Sequence, residues 1–129
     1  SCGARPGDCA YIAFYNEDNK TREFRQFRDS FREKYSREPG GCEAQGYDSL
    51  KLVAIGLGKA RSIEEFTRNL LKVRGYPGAA ASYTFLPPGA ELDRTMYINT
   101  IRPASRDNPL PRGTNSKSFP YSKLAGYSN

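Results

Sequence analysis

The run Gly46-Tyr47-Asp48-Ser49-Leu50-Lys51-Leu52-Val53-Ala54-Ile55-Gly56-Leu57 constrains this chain more than any other stretch. Tyr47, Leu50, Val53, Ala54 and Leu57 recur at helical spacing, and Leu52 and Ile55 widen the apolar arc beyond the stripe of a surface helix. A helix that is apolar over so much of its circumference is expected to lie between other elements. It is read as the central packing helix, with the other periodic segments as its cover.

That cover is thin. The chain has 129 residues, enough for one domain. Only 37% are hydrophobic, against 12 glycines and 9 prolines, so the core is small and part of the chain is expected to lie extended on a surface. The formal charge of +6, from 20 basic and 14 acidic residues, would suit an anionic partner. The basic residues are scattered, however, and read better as solvated surface than as a nucleic-acid site. The chain has no histidine, which removes Ser-His-Asp and Cys-His catalysis and shrinks the zinc ligand sets to cysteine and carboxylate. Cys2, Cys9 and Cys42 lack a metal spacing. In an oxidising compartment Cys2 and Cys9 could close a small loop, and in a reducing one all three would be thiols. No metal, cofactor or catalytic residue is expected. No apolar run reaches the ~18 residues of a membrane helix, and no signal peptide is visible.

In chain order, residues 1–9 form an irregular extension. Cys9 to Tyr15 reads as a buried strand closed by the turn Asn16-Glu17-Asp18-Asn19. Thr21 is a helix cap, and Phe24, Phe27, Phe31 and Tyr35 mark one face of an amphipathic helix that stops before Pro39-Gly40-Gly41. After the central helix, Ser62-Ile63-Glu64-Glu65 is a capping box, in which Ser62 takes the Glu65 amide and the Glu65 carboxylate reaches back to the Ser62 amide. Ile63, Phe66, Leu70 and Val73 mark the face of that third helix, which Gly75 can end. Strands at 82–86 and 95–101, joined by the turn-rich 87–94, make a hairpin.

From 103 to 129 the pattern stops, leaving a tail expected to be ordered only by lying on something else. Arg102, Arg106, Arg112, Lys117 and Lys123 alternate there with Phe119, Tyr121 and Tyr127. Arginine beside aromatic rings suits docking to a protein groove or to single-stranded nucleic acid, with protein the expected surface and Arg102, Arg112, Phe119, Tyr121 and Tyr127 as the contact residues. Other protein chains are the expected partners.

Four motifs in order resemble the type I periplasmic substrate-binding proteins of the branched-chain amino acid and amide ABC importers. Phe27-Arg28-Asp29-Ser30-Phe31-Arg32-Glu33-Lys34-Tyr35-Ser36-Arg37-Glu38-Pro39 looks like the helix near their last hinge crossing. Gly46-Tyr47-Asp48-Ser49 looks like their GYDA helix. Tyr76-Pro77-Gly78-Ala79-Ala80 with Tyr83-Thr84-Phe85, and then Asp93 to Ile98, are similar to their closing hairpin. The resemblance covers residues 10–102. It implies an α/β fold, a partial binding-protein-like segment of one strand, three helices and a β-hairpin with irregular N- and C-terminal extensions. It also implies a periplasmic or other extracytoplasmic setting.

By position in that family, Tyr15, Asn16, Cys42, Glu43 and Gln45 would lie near a bound small amino acid or amide. Read on their own, Glu43 is a first-turn acid favoured by the helix dipole and Cys42 a small buried residue. Gly56-Leu57-Gly58-Lys59 lacks the spacing of a phosphate loop and reads as a helix end. Glu64 and Glu65 are accounted for by capping. The expected role is that of a non-enzymatic interaction or scaffold subunit built from a solute-binding fold and attached to a larger assembly through its extended ends. The alternative is a fragment of an importer's binding protein that holds its ligand in a two-lobed cleft.

Overall fold

A computed structural model describes residues 10–16, 18–101 and 113–123. Helices α1 (Arg22–Tyr35), α2 (Gly41–Leu57) and α3 (Ile63–Leu71) follow the short strand β1 (Ala10–Ala13). Strands β2 (Tyr76–Pro77), β3 (Ser82–Leu86), β4 (Glu91–Ile101) and β5 (Gly113–Pro120) come next, and a 3-10 turn at Tyr121–Lys123 ends the described chain. Strand, three helices and hairpin are the α/β segment expected. Among the described residues no helix is long and apolar enough to cross a membrane.

β4 is the hub of an antiparallel sheet. Its first half pairs with β3, from Tyr83 opposite Arg94 to Leu86 opposite Glu91. Its second half lies between β1 and β5, since Tyr97–Thr100 pairs with both. Two expectations change here. Residues 91–94, expected in the hairpin turn, belong to β4, and the turn shrinks to Pro87–Ala90. Glu, Asp and Arg are poor strand formers, yet the β3 backbone supplies a full ladder that outweighs their preference. Within the patternless tail, Gly113–Pro120 is β5, so the surface this segment lies on is β4 of its own chain. Its sequence, Gly-Thr-Asn-Ser-Lys-Ser-Phe-Pro, does not alternate, and main-chain pairing alone makes it a strand. Past β5, the Asp93 carboxylate accepts from both the amide (2.9 Å) and hydroxyl (3.0 Å) of Ser122, pinning the 3-10 turn.

Local signals placed the helix starts well. The Thr21 hydroxyl accepts from the Phe24 amide at 3.3 Å, and Ser62 does the same for Glu65 at 3.2 Å. The Glu65 carboxylate accepts from the Arg61 amide (2.7 Å), one residue before the expected Ser62. α2 begins at Gly41, five residues ahead of the apolar run, because Glu43 accepts from the Gly40 amide (2.9 Å) and caps the helix from within its first turn.

The expected burial of α2 is reversed. Its inward row is Ala44, Asp48, Leu52 and Gly56, one residue per turn, while Tyr47, Leu50, Val53, Ala54 and Leu57 are exposed. Ala44 packs with Phe27, Ala79 and Ala80, and Leu52 packs with Val73, Ala81 and Tyr83. At Gly56 a Cβ would come within 2.5 Å of the Phe66 ring, so α3 crosses where α2 has no side chain. The Asn69 amide donates to the Gly56 carbonyl at 3.0 Å in the same crossing. Among the described residues, the core that forms against α2 meets the row Ala44, Asp48, Leu52 and Gly56. Ile63, expected on the inner face of α3, is 79% exposed, because burial along that short helix reaches Phe66 and Leu70 but not its first turn. The helix ends at Leu71, so that buried Val73 lies past it and not on its face as expected.

Candidate functional site

Asp48 organises the loop beside the site. It is 0% exposed, and its two oxygens accept from the amides of Ala79 (2.6 Å) and Ala80 (2.8 Å) and from the Tyr83 hydroxyl (2.8 Å). Three donors, two of them backbone amides, replace the water a buried carboxylate has lost. Burial first, then the hydrogen bond and charge of Asp48, push the Tyr83 phenol well above its ordinary range. Burial also raises Tyr97, whose hydroxyl donates to the Ala80 carbonyl at 3.1 Å. Gly78 closes this knot, since a Cβ there would lie 2.5 Å from the Asp48 carboxylate. The backbone between Pro77 and Ser82 is thereby locked in place.

That locked loop is one wall of a cavity of 620 Å³. The turn leading into α1 forms the facing wall with Asn16, Asp18, Lys20 and Glu23, and Thr95, Tyr97 and Ser118 of β4 and β5 complete the lining. Asn16 is only 7% exposed. Its side-chain oxygen accepts from the Asp18 amide (3.0 Å), and its carbonyl accepts from the Asn19 amide (3.2 Å). Its side-chain nitrogen has no hydrogen-bond partner among the described residues. The Thr95 oxygen accepts from the Ser82 amide at 3.1 Å, which leaves the Thr95 hydroxyl hydrogen and the Ser82 hydroxyl to face other groups.

Of the five residues assigned to a ligand by resemblance, only Asn16 lines this cavity. Tyr15 packs edge-on against Phe24 (ring centroids 5.9 Å) and donates to the Pro39 carbonyl at 3.4 Å. Cys42 is an exposed free thiol on α2, not the small buried residue expected, because the first turn of α2 meets its neighbours through Ala44. Glu43 pairs with Arg37 at 2.8 Å, and that hydrogen bond, with the backbone amides of its own cap, lowers its carboxyl pKa. Gln45 is half-buried on the same helix. Among the assigned docking residues, Phe119 is half-buried opposite Met96 and Tyr121 is 44% exposed, whereas Arg102, Arg112 and Tyr127 lie outside the described residues. Sequence reasoning missed Asp18, Ser82, Thr95 and Ser118. The polar turn 16–19 was visible as a turn, but single hydroxyls on strands carry no signal. Among the described residues no three His, Cys, Asp or Glu side chains gather closely enough to hold a metal.

No protein-family profile matches the chain, and no curated protein does. Solved structures do. The leucine binding protein LivK of Thermotoga maritima superposes with a TM-score of 0.62 at 17% identity, over 84% of this chain and 30% of that one. The branched-chain amino acid transporter substrate binding protein LivJ of Streptococcus pneumoniae, solved with isoleucine, gives 0.61 at 22%, over 86% and 31%. An ABC transporter substrate-binding protein of Desulfitobacterium hafniense gives 0.60 at 20%, over 83% and 30%. The chain therefore has the α/β fold of one part of a type I periplasmic substrate-binding protein and spans about 30% of the length of the solved proteins it matches.

Proposed function

We infer that this chain is a non-enzymatic interaction module of the solute-binding fold. The exposed apolar face of α2 docks on the remainder of such a fold, carried on this polypeptide or on another. The observation that carries this reading is that face itself: Leu50 is 74% exposed, with Val53 and Leu57 beside it at helical spacing. Contiguous exposed apolar surface on a helix is a marker of an interface. The superpositions suggest the occupant, since they match about 30% of each neighbour and leave the rest of a two-lobed fold to be supplied. The reading is tested by hydroxyl-radical footprinting of Leu50, Val53 and Leu57. The natively isolated protein is compared with the 129-residue chain alone. Strong protection in the native protein is expected, and equal labelling in both states overturns the reading.

A second reading is favoured by the isoleucine bound to LivJ. In it the chain contributes to a cleft for a small amino acid or amide in an extracytoplasmic binding protein. A ligand that binds only the native state raises the melting temperature. Isoleucine and its amide are expected to do so with the natively isolated protein. No shift with either at millimolar concentration removes this reading.

A further inference from the structure

The turn before α1 carries a motif that neither reading above uses. Asn19-Lys20-Thr21 has the Asn-x-Thr spacing at which an asparagine amide accepts a glycan, and no other asparagine in the sequence has a serine or threonine two places on. In sequence an acid, Glu17, stands two places ahead of Asn19, as the bacterial form of the acceptor motif requires. We propose that Asn19 is an N-glycosylation site that takes an oligosaccharide on its side-chain nitrogen. The proposal rests on the extracytoplasmic setting of the second reading and not on its cleft.

A three-residue motif recurs by chance, so access decides whether it is an acceptor. Asp18, Lys20 and Thr21 are exposed, and Asn19 is half-buried between them. The Asn19 side-chain oxygen accepts from the Thr21 amide at 2.9 Å, the local turn that asparagine favours. Its side-chain nitrogen has no hydrogen-bond partner among the described residues. The Thr21 oxygen accepts from the Phe24 amide at 3.3 Å, which leaves the hydroxyl hydrogen to face other groups. Thr21 is extended (φ −64°, ψ 152°) and α1 begins only at Arg22, so an enzyme can take up the motif without unwinding the helix.

An amide nitrogen is a poor nucleophile, because its lone pair is delocalised into the carbonyl. The transfer therefore needs an activated donor, a polyprenyl-diphosphate-linked oligosaccharide, and the membrane transferase that uses it. The bond from Asn19 Nδ2 to the sugar C1 forms as the bond from C1 to the diphosphate oxygen breaks. The lipid diphosphate leaves with the electron pair. Nδ2 gives one proton to a base of the transferase, and the side chain remains an amide.

The test is mass spectrometry of the natively isolated protein. Cleavage after glutamate releases residues 18–23, and this peptide is expected to carry hexose or N-acetylhexosamine masses that fragmentation places on Asn19. Finding the peptide only at its unmodified mass overturns the proposal. Produced in the same cells, Asn19→Gln and Thr21→Val are expected to lose the sugar completely. Thr21→Ser keeps both the cap oxygen and the acceptor hydroxyl, and is expected to retain it. Because Thr21→Val also removes a helix cap, Asn19→Gln decides the matter if Thr21→Val does not accumulate. Sugar that persists in either of these two variants is chemical glycation, as at Lys20, and overturns the proposal as well. The melting test of the cleft reads a different quantity, so the two fail separately.

Discussion

The two faces of α2 carry opposite chemistry from what their burial would suggest. The inner row contains alanine, glycine, a fully buried carboxylate and one large apolar residue, Leu52, and the outer face carries Leu50, Val53 and Leu57 in the open. Asp48 can be inside because three donors stand ready for it, while Leu50 is outside because no described residue covers it. Periodicity identifies that a helix has faces. Which face is inside depends on what else arrives, and here the neighbours meet the row Ala44, Asp48, Leu52 and Gly56 while Leu50, Val53 and Leu57 stay exposed.

The sharpest way to break this contrast is Asp48→Ala. It strands two buried amides and a buried phenol, and a loss of at least about 3 kcal/mol in urea unfolding is expected. A loss under about 1 kcal/mol would mean that the knot is not what holds the inner row. Gly78→Ala drives a Cβ into the same carboxylate and the Tyr83 ring, and about 1–3 kcal/mol of destabilisation is expected in the same assay. High pH probes the knot without mutation. Because the folded pKa of Tyr83 is raised, its contribution is whole below the ordinary phenol range and falls as pH climbs above that range. Spectroscopic titration is therefore expected to find Tyr83 and Tyr97 un-ionised until the chain unfolds. Ionisation of all the tyrosines near pH 10, with the fold intact, would contradict their burial. The smallest effect belongs to the outer face. Leu50→Asn is expected to change the stability of the 129-residue chain by no more than about 0.5 kcal/mol. A larger loss would show that the outer face is already buried.

Much of the fold could be read from neighbours along the chain. Thr21 and Ser62 cap their helices through contacts three residues away, and such contacts are written in order. The strand before the 16–19 turn and the break at Pro39-Gly40-Gly41 were legible for the same reason, but the expected burial of that strand was not met, since Ile12 is 50% and Phe14 52% exposed. β5 was not legible, because a ladder to Thr95–Ile101 needs backbone groups, which every residue possesses. The cavity was harder still. Its lining comes from residues near 16–23, 77–82, 95–97 and 118, and only Asn16 among the resemblance-derived residues takes part.

The sequence by itself determined that three helices and then a hairpin follow the first strand, where α1 and α3 are capped, and that an apolar helix exists in a chain with little to cover it. Caps, breakers and periodicity act within a turn or two, so order alone carries them. Only the tertiary structure decided that Asp48 and not Leu50 faces inward, that the polar tail completes the sheet, and that Asn16 meets Thr95 across a cavity. Those outcomes are settled between segments tens of residues apart. There, burial and hydrogen-bond satisfaction weigh the whole set of neighbours at once.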